Sequence, residues 1–177
     1  MYEVNEDKHR YYLVTELCEG GDLFTRLEKQ KKFSEKDVNI MLKQILEGVE
    51  YFHEQGVIHR DLKPENILLF GQSSQIKISD FGSAIVHHSN EPLREMAGTP
   101  YYTPPEVLNQ CYGNKCDIWS IGVITYILLS GMAPFYGRTN KDIIKMICRG
   151  VFSFEGQVWN TISDECKNFI CSLLTLN

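Results

Sequence analysis

The segment Ile118–Leu129, with the sequence IWSIGVITYILL, restricts the fold more than any other part of this chain. As a helix it is apolar on nearly every side, yet it is shorter than the roughly 20 residues that a helix needs to cross a membrane. A short helix without a polar face must be surrounded by protein. With 177 residues, 43% of them hydrophobic, the chain can build one domain with such a core. We therefore expect a central helix over residues 117–130.

A second long helix is predicted over residues 35–55, because apolar residues recur there at spacings of three and four. Ser34 and Asp37 resemble a capping box at its start, and Gly56 stands where a left-handed cap would end it. The apolar positions are Val38, Met41, Leu42, Ile45, Val49 and Phe52.

The remaining elements are shorter. Residues 10–17 are typical of a strand, residues 22–30 of a short helix, and residues 139–149 and 163–175 of two further helices. Asn66–Phe70 and Gln75–Ser79, joined by GQSS, predict a hairpin. Residues 80–106 are irregular, and loops of that length are usually functional.

Charge and cysteine content exclude several classes of function. The net charge of −5 argues against a nucleic-acid or anionic-membrane surface, since either needs a positive field. The six cysteines form no CxxC pair, which indicates reduced thiols in a cytoplasmic protein. No segment resembles a signal peptide or a membrane span.

The stretch His59–Asn66, with the sequence HRDLKPEN, carries the clearest chemistry. Asn66 and Asp80 lie at the ends of the two hairpin strands and offer the oxygen ligands that Mg²⁺ prefers. Asp61 is then free to accept a proton from an incoming hydroxyl, while Lys63 can balance charge on a phosphoryl group. The alternative is a set of loop-capping residues with an exposed lysine, which the combined pattern disfavours.

Four motifs occur in a recognisable order: HRDLKPEN, DFG (Asp80–Gly82), GTPYYTPPE (Gly98–Glu106) and DIWSIG (Asp117–Gly122). Together they resemble the large lobe of a eukaryotic protein kinase. The resemblance implies an α+β, mainly α-helical fold: a kinase-like C-terminal lobe with a remnant of the N-lobe sheet. Residues 1–17 would be the end of the small lobe and the hinge, and residues 18–177 the large lobe, truncated at its C-terminus.

The same resemblance implies roles in phosphoryl transfer from ATP. Asp61 would accept the substrate proton, Lys63 would contact the γ-phosphate, and Asn66 and Asp80 would hold Mg²⁺. Thr99 would contact Asp61 and Lys63 and shape the substrate groove. Lys63 and Thr99 both favour the serine/threonine branch.

Around the nucleotide, the resemblance makes Thr15 the gatekeeper, gives the backbones of Glu16 and Cys18 to the adenine edge, and puts Leu68 beneath the base. Asp22 would lie near the ribose. With Glu65 it could attract a basic residue upstream of the phosphorylated hydroxyl, although a solvated acidic face explains these two carboxylates equally well.

In this family the arginine at position 60 normally pairs with a phosphate on the activation segment, here residues 80–106. Glu95 stands where many relatives have that phosphorylated threonine. A carboxylate is already charged, so we hypothesise that Glu95 pairs with Arg60 without modification. The alternative is an exposed glutamate in a mobile loop.

Finer features, including ILLSGMAPFYG and the acidic Glu95, most resemble the calcium-dependent protein kinases of the calmodulin-dependent group. That implies protein substrates and, in a full-length form, a calcium-binding EF-hand region, but residues 1–177 contain no DxDxDG loop.

A kinase also needs a glycine-rich loop, a strand lysine and a helix glutamate, and none is found in residues 1–9. We therefore expect this chain alone to be inactive or weakly active. The alternatives are a truncated or catalytically silent kinase-fold binding module and, less favoured, a small-molecule phosphotransferase.

Overall fold

A computed structural model describes residues 1–71, 75–89 and 91–176, and in these ranges helices predominate. The helices are α1 (Leu23–Gln30), α2 (Glu35–Glu54), α3 (Pro105–Leu108), α4 (Lys115–Ser130), α5 (Asn140–Arg149) and α6 (Asp164–Leu173). The strands are β1 (Glu3–Glu6), β2 (Tyr11–Val14), β3 (Val57–Ile58), β4 (Ile67–Phe70), β5 (Gln75–Ile78) and β6 (Ile85–Val86). The expected α+β, mainly helical class is confirmed.

Helix α4 is the centre of the core, as its composition predicts. Most of its residues are buried, and it packs against α2 and α6. Gly122 permits the close approach of α6, because a Cβ there would lie 2.9 Å from the Leu173 side chain. The helix begins at Lys115, two residues before the predicted start, because Asn114 already has helical backbone angles.

Helix α2 supplies the second layer. It is capped at both predicted positions, but only half of the predicted capping box forms, since the Asp37 carboxylate accepts from the Ser34 hydroxyl and not from its backbone amide. Ser34 Oγ accepts a hydrogen bond from the Asp37 amide at 3.2 Å, and Gly56 has a φ of +71° just past the helix end. The predicted apolar face is buried except at Leu42, which is half-buried and lines a groove between α2 and α6.

The three pairs of strands are antiparallel: β1 with β2, β3 with β6, and β4 with β5. In the last pair Ile67 faces Ile78, as the predicted hairpin requires. The connection predicted for it includes residues 72–74, which lie outside the described residues. In the described part of residues 80–106, regular structure is limited to β6, two short 3₁₀ turns and the start of α3. No helix among the described residues is long and apolar enough to span a membrane.

Candidate active site

The loop that carries HRDLKPEN is held in place by a buried carboxylate on the central helix. Asp117 lies in the first turn of α4 and has no solvent exposure. It accepts hydrogen bonds from the backbone amides of His59 at 2.9 Å and Arg60 at 2.8 Å, and His53 Nε2 lies 2.8 Å from it. Arg60 has a φ of +68°, a left-handed conformation that costs a non-glycine residue energy. Asp117 therefore stabilises a backbone that the sequence would not adopt by itself.

Asp61, Lys63 and Thr99 form a closed hydrogen-bonded triangle. Lys63 Nζ donates to Asp61 Oδ2 at 2.7 Å and to Thr99 Oγ1 at 3.0 Å, and Thr99 Oγ1 donates to Asp61 Oδ1 at 2.7 Å. The Asp61 side chain is 13% exposed. A partly desolvated carboxylate with two fixed donors keeps a defined orientation and still has lone pairs that can accept from an incoming group.

The hairpin brings Asn66 and Asp80 to one end of the β4–β5 pair. Asn66 immediately precedes β4, and its carbonyl accepts hydrogen bonds from the amide and the hydroxyl of Ser79, the residue before Asp80. The Asn66 amide nitrogen donates to the Asp61 carbonyl at 2.9 Å, so its side-chain oxygen is the atom free for a cation. Asp80 is exposed, has a φ of +59°, and accepts from the Gly82 amide at 3.3 Å.

The Arg60 side chain connects three separate parts of the chain. Its Nε donates to the Ser83 carbonyl at 2.6 Å, and its NH1 lies 3.5 Å from Glu95 Oε2 and 3.3 Å from the Tyr112 hydroxyl. The Arg60 side chain is 11% exposed, whereas that of Glu95 is 77% exposed. Arg60 and Glu95, the predicted pair, are therefore joined by a single long contact.

A cluster of three rings links α2 to the residue after Asp80. His59 lies 4.7 Å from the Phe81 ring, which meets Phe52 edge-on at 5.7 Å. His59 is fully buried, and its Nε2 lies 3.0 Å from the Ser79 carbonyl. The orientation of the Asp80 turn is therefore coupled to the hydrophobic core.

The residues predicted to surround a nucleotide lie along the segment that links β2 to α1 and on β4. Thr15 is exposed, and its hydroxyl donates to the Glu16 carbonyl at 3.4 Å. The Glu16 carboxylate pairs with Lys77 at 3.3 Å. Leu68 is half-buried and forms an antiparallel bridge with Asp22.

Both predicted substrate carboxylates are accessible, but one of them also caps a helix. Asp22 caps α1, accepting from the Thr25 amide at 2.7 Å and hydroxyl at 2.9 Å. Burial raises the pKa of Asp22, but these hydrogen bonds outweigh it and hold the pKa below its usual value. Glu65 is exposed. The pKa of Tyr102 is raised, chiefly because Tyr102 is buried and secondly because the negative charge of Glu65 lies nearby.

These motifs and their geometry agree with a comparison against known families. A model of the protein kinase domain matches residues 1–177. The chain belongs to the protein kinase family. The expected kinase-like fold is thereby confirmed, while the division of this kinase domain at residue 17 stays a prediction.

Curated relatives of the kinase domain include two parasite enzymes and a crustacean one. The chain is 48% identical to calcium-dependent protein kinase 5 of Plasmodium berghei (strain Anka), over all of the chain and 32% of that protein. It is 42% identical to calcium-dependent protein kinase 3 of Plasmodium yoelii yoelii, with 34% of that protein covered. It is 43% identical to calcium/calmodulin-dependent protein kinase type 1 of Macrobrachium nipponense, with 52% covered. The chain thus spans about a third of the Plasmodium proteins and half of the crustacean one.

Sequence reasoning missed three residues that support the kinase site: Asp117, His53 and Tyr112. A signal existed for Asp117, because a carboxylate at the start of an otherwise buried helix needs partners. Nothing in the local sequence marks His53 or Tyr112, since their roles depend on contacts across 64 and 52 positions.

Proposed function

We propose that this domain transfers the γ-phosphoryl group of ATP to serine and threonine hydroxyls of proteins. The observation that carries the proposal is the triangle of Asp61, Lys63 and Thr99, with both Asp61 oxygens held by donors 2.7 Å away. A carboxylate fixed in this way is suited to orient a hydroxyl and accept its proton. Membership of the protein kinase family supports the same reaction.

In the proposed reaction, the substrate hydroxyl donates a hydrogen bond to a free lone pair of Asp61. Its oxygen forms a bond to the γ-phosphorus as the bond to the leaving oxygen breaks, and its proton passes to Asp61. Lys63 places a positive charge beside Asp61, near the phosphoryl group on which negative charge develops. Thr99 fixes both side chains, so little reorganisation is needed at the moment of transfer.

The residues present fit a magnesium ion. The Asn66 side-chain oxygen is left available by the bond from its amide nitrogen to Asp61, and Asp80 adds a carboxylate at the same end of the hairpin. Hard oxygen donors of these two kinds suit Mg²⁺. Bound there with ATP, the ion would neutralise charge on the phosphates.

The remaining predicted roles are proposed on the same basis. Thr15, with the backbones of Glu16 and Cys18, would line the adenine side, and Leu68 would lie beneath the base. Their positions along the segment from β2 to β4 support this. Exposed Glu65, with Asp22, would favour a basic residue upstream of the accepting hydroxyl.

The relatives named as calcium-dependent protein kinases support a similar role for this domain. A cytoplasmic location, and calcium control through an EF-hand region of a full-length form, are proposed with that role. The pairing of Arg60 with Glu95 would order the activation segment without phosphorylation, and the 3.5 Å contact supports it. A catalytically silent binding module remains the alternative.

The test is a phosphate-transfer assay on the full-length protein with Mg-ATP. Three acceptors are compared: a serine peptide with an upstream arginine, the same peptide with tyrosine at the acceptor position, and an aminoglycoside. We expect transfer to the serine peptide alone, and loss of at least about 100-fold in Asp61→Asn, since general bases contribute that much. Transfer to the aminoglycoside would refute the proposed substrate class. Absence of transfer, with Mg-ATP binding retained, would favour the silent module.

A further inference from the structure

The middle of the activation segment is held by Tyr112, a residue outside both the segment and the catalytic loop. The backbone of Tyr112 forms two hydrogen bonds with that of Leu93, at 2.8 and 3.2 Å, as an isolated antiparallel bridge. Its hydroxyl donates to the Glu95 carbonyl at 2.7 Å. Tyr112 therefore contacts the segment at two positions, through main chain and side chain together.

The same hydroxyl also contacts the catalytic loop. Arg60 NH1 donates to it at 3.3 Å. A guanidinium can only donate and a carbonyl can only accept, so the partners fix the direction of both bonds. The result is a chain of hydrogen bonds from Arg60 through Tyr112 to the Glu95 main chain. Donation from a cation strengthens the phenol as a donor to the next group.

Tyr112 and the Glu95 carboxylate both connect Arg60 to the activation segment, and burial makes the Tyr112 connection the stronger one. Tyr112 is 4% exposed and packs in a small cluster with Ile58, Val107 and Cys116, against which Leu93 also rests. The Glu95 side chain is 77% exposed and meets Arg60 through one contact of 3.5 Å. Exposed pairs of this kind contribute little, whereas an unmade bond at a buried polar group is costly.

We propose that the Tyr112 hydroxyl is a positioning group that holds Arg60 and the Leu93–Glu95 part of the activation segment, and that it contributes more to turnover than the Glu95 carboxylate. The effect on turnover rests on the proposed function. Tyr112 lies outside the residues proposed to bind substrate and nucleotide, and it would act through the backbone that leads from Glu95 to Thr99.

The test compares Tyr112→Phe, Glu95→Gln and a matched control, Tyr51→Phe, in the full-length protein. Tyr51 is 66% exposed on α2, so its loss of a hydroxyl should leave the activation segment unaffected. For each variant, kcat and the KM for ATP are measured with the serine peptide as acceptor, well below the unfolding temperature. Amide hydrogen exchange is measured across residues 91–97. We expect Y112F to lower kcat about tenfold, to leave KM for ATP within about twofold, and to speed exchange about tenfold. Y51F should match the wild type, and E95Q should lose less than Y112F.

The double variant Y112F/E95Q separates this mechanism from a general loss of stability. Once the Glu95 backbone is released, its carboxylate no longer stands beside Arg60, so E95Q should cause no further loss in the Y112F background. The proposal would be overturned if the loss of kcat in the double variant equalled the product of the losses in the two single variants. It would also be overturned if Y112F matched Y51F in both turnover and exchange. If the wild type transfers no phosphate, the proposed function fails, while the exchange comparison still decides whether Tyr112 holds the segment.

Discussion

Asp117→Asn is the substitution that most directly tests how the catalytic loop is held. The wild-type carboxylate is fully buried and accepts two backbone hydrogen bonds, from His59 and Arg60, with His53 Nε2 also 2.8 Å away. The asparagine side chain has an NH₂ donor in place of one of the two acceptor oxygens. That NH₂ group would face a backbone N–H, which is also a donor. At least one buried amide then loses its partner.

The magnitude follows from the kind of bond that is lost. Hydrogen bonds to charged groups contribute about 1.5–3 kcal/mol each, and an orphaned buried donor adds a desolvation cost of about 1–3 kcal/mol. We therefore expect D117N to lower the free energy of unfolding by roughly 3–5 kcal/mol. With a denaturant slope near 2 kcal/mol per molar, the urea midpoint should fall by about 2 M. The left-handed Arg60 backbone should relax as well, and turnover should fall with it.

Urea unfolding followed by tryptophan fluorescence measures the shift, with Asp164→Asn as the matched control. Asp164 is 89% exposed and pairs with Lys167 on its own helix, so its substitution should move the midpoint by no more than about 0.5 M. A D117N midpoint no lower than that of D164N would refute the claim that Asp117 holds the loop.

Two further substitutions test separate contacts. Gly98→Ala should destabilise the protein by about 2 kcal/mol and lower turnover, because Gly98 has a φ of +93° and a Cβ there would lie 2.5 Å from the Arg60 carbonyl. Gly113→Ala, which meets no atom within 4 Å, is its control, and equal unfolding midpoints would contradict the prediction. Hydrogen bonds from the hydroxyl and then the amide of Ser163 lower the pKa of Glu35, so this carboxylate stabilises the fold above its unfolded-state pKa and ceases to do so as pH falls through its folded-state value. Glu35→Gln should therefore cost at most about 1 kcal/mol at pH 7, and this cost should shrink as pH falls through the folded-state pKa; a cost that does not change with pH would count against it.

Local patterns predicted the helices well, because the information lay within each segment. The period of apolar residues and the caps at Ser34 and Gly56 located α2 to within a residue. The motifs also indicated that Asp61, Lys63 and Thr99 would meet, and the structure shows them in mutual contact.

Long-range contacts could not be predicted in the same way. Whether Arg60 reaches Tyr112 depends on how the loop before α4 packs against β3. The spacing of apolar residues along the chain does not predict that packing. The left-handed φ of Arg60 is likewise imposed by Asp117, since an arginine has no local preference for it. Residues held by tertiary contacts against their own propensity are the ones that sequence patterns miss.

The two hydrophobic clusters imply that the activation segment opens in stages. Its middle rests on the small cluster around Tyr112, whereas the Tyr102 carbonyl, near its end, accepts a bond from Ser120 on the fully packed α4. Small clusters open at lower free energy than a main core, so we expect the middle of the segment and its C-terminal end to belong to different cooperative units. We therefore expect the amides of residues 93–95 to exchange with solvent faster than those of residues 102–103. In such a domain, the middle of the segment can become accessible to a modifying enzyme or a protease while the part around Thr99 and Tyr102 stays folded.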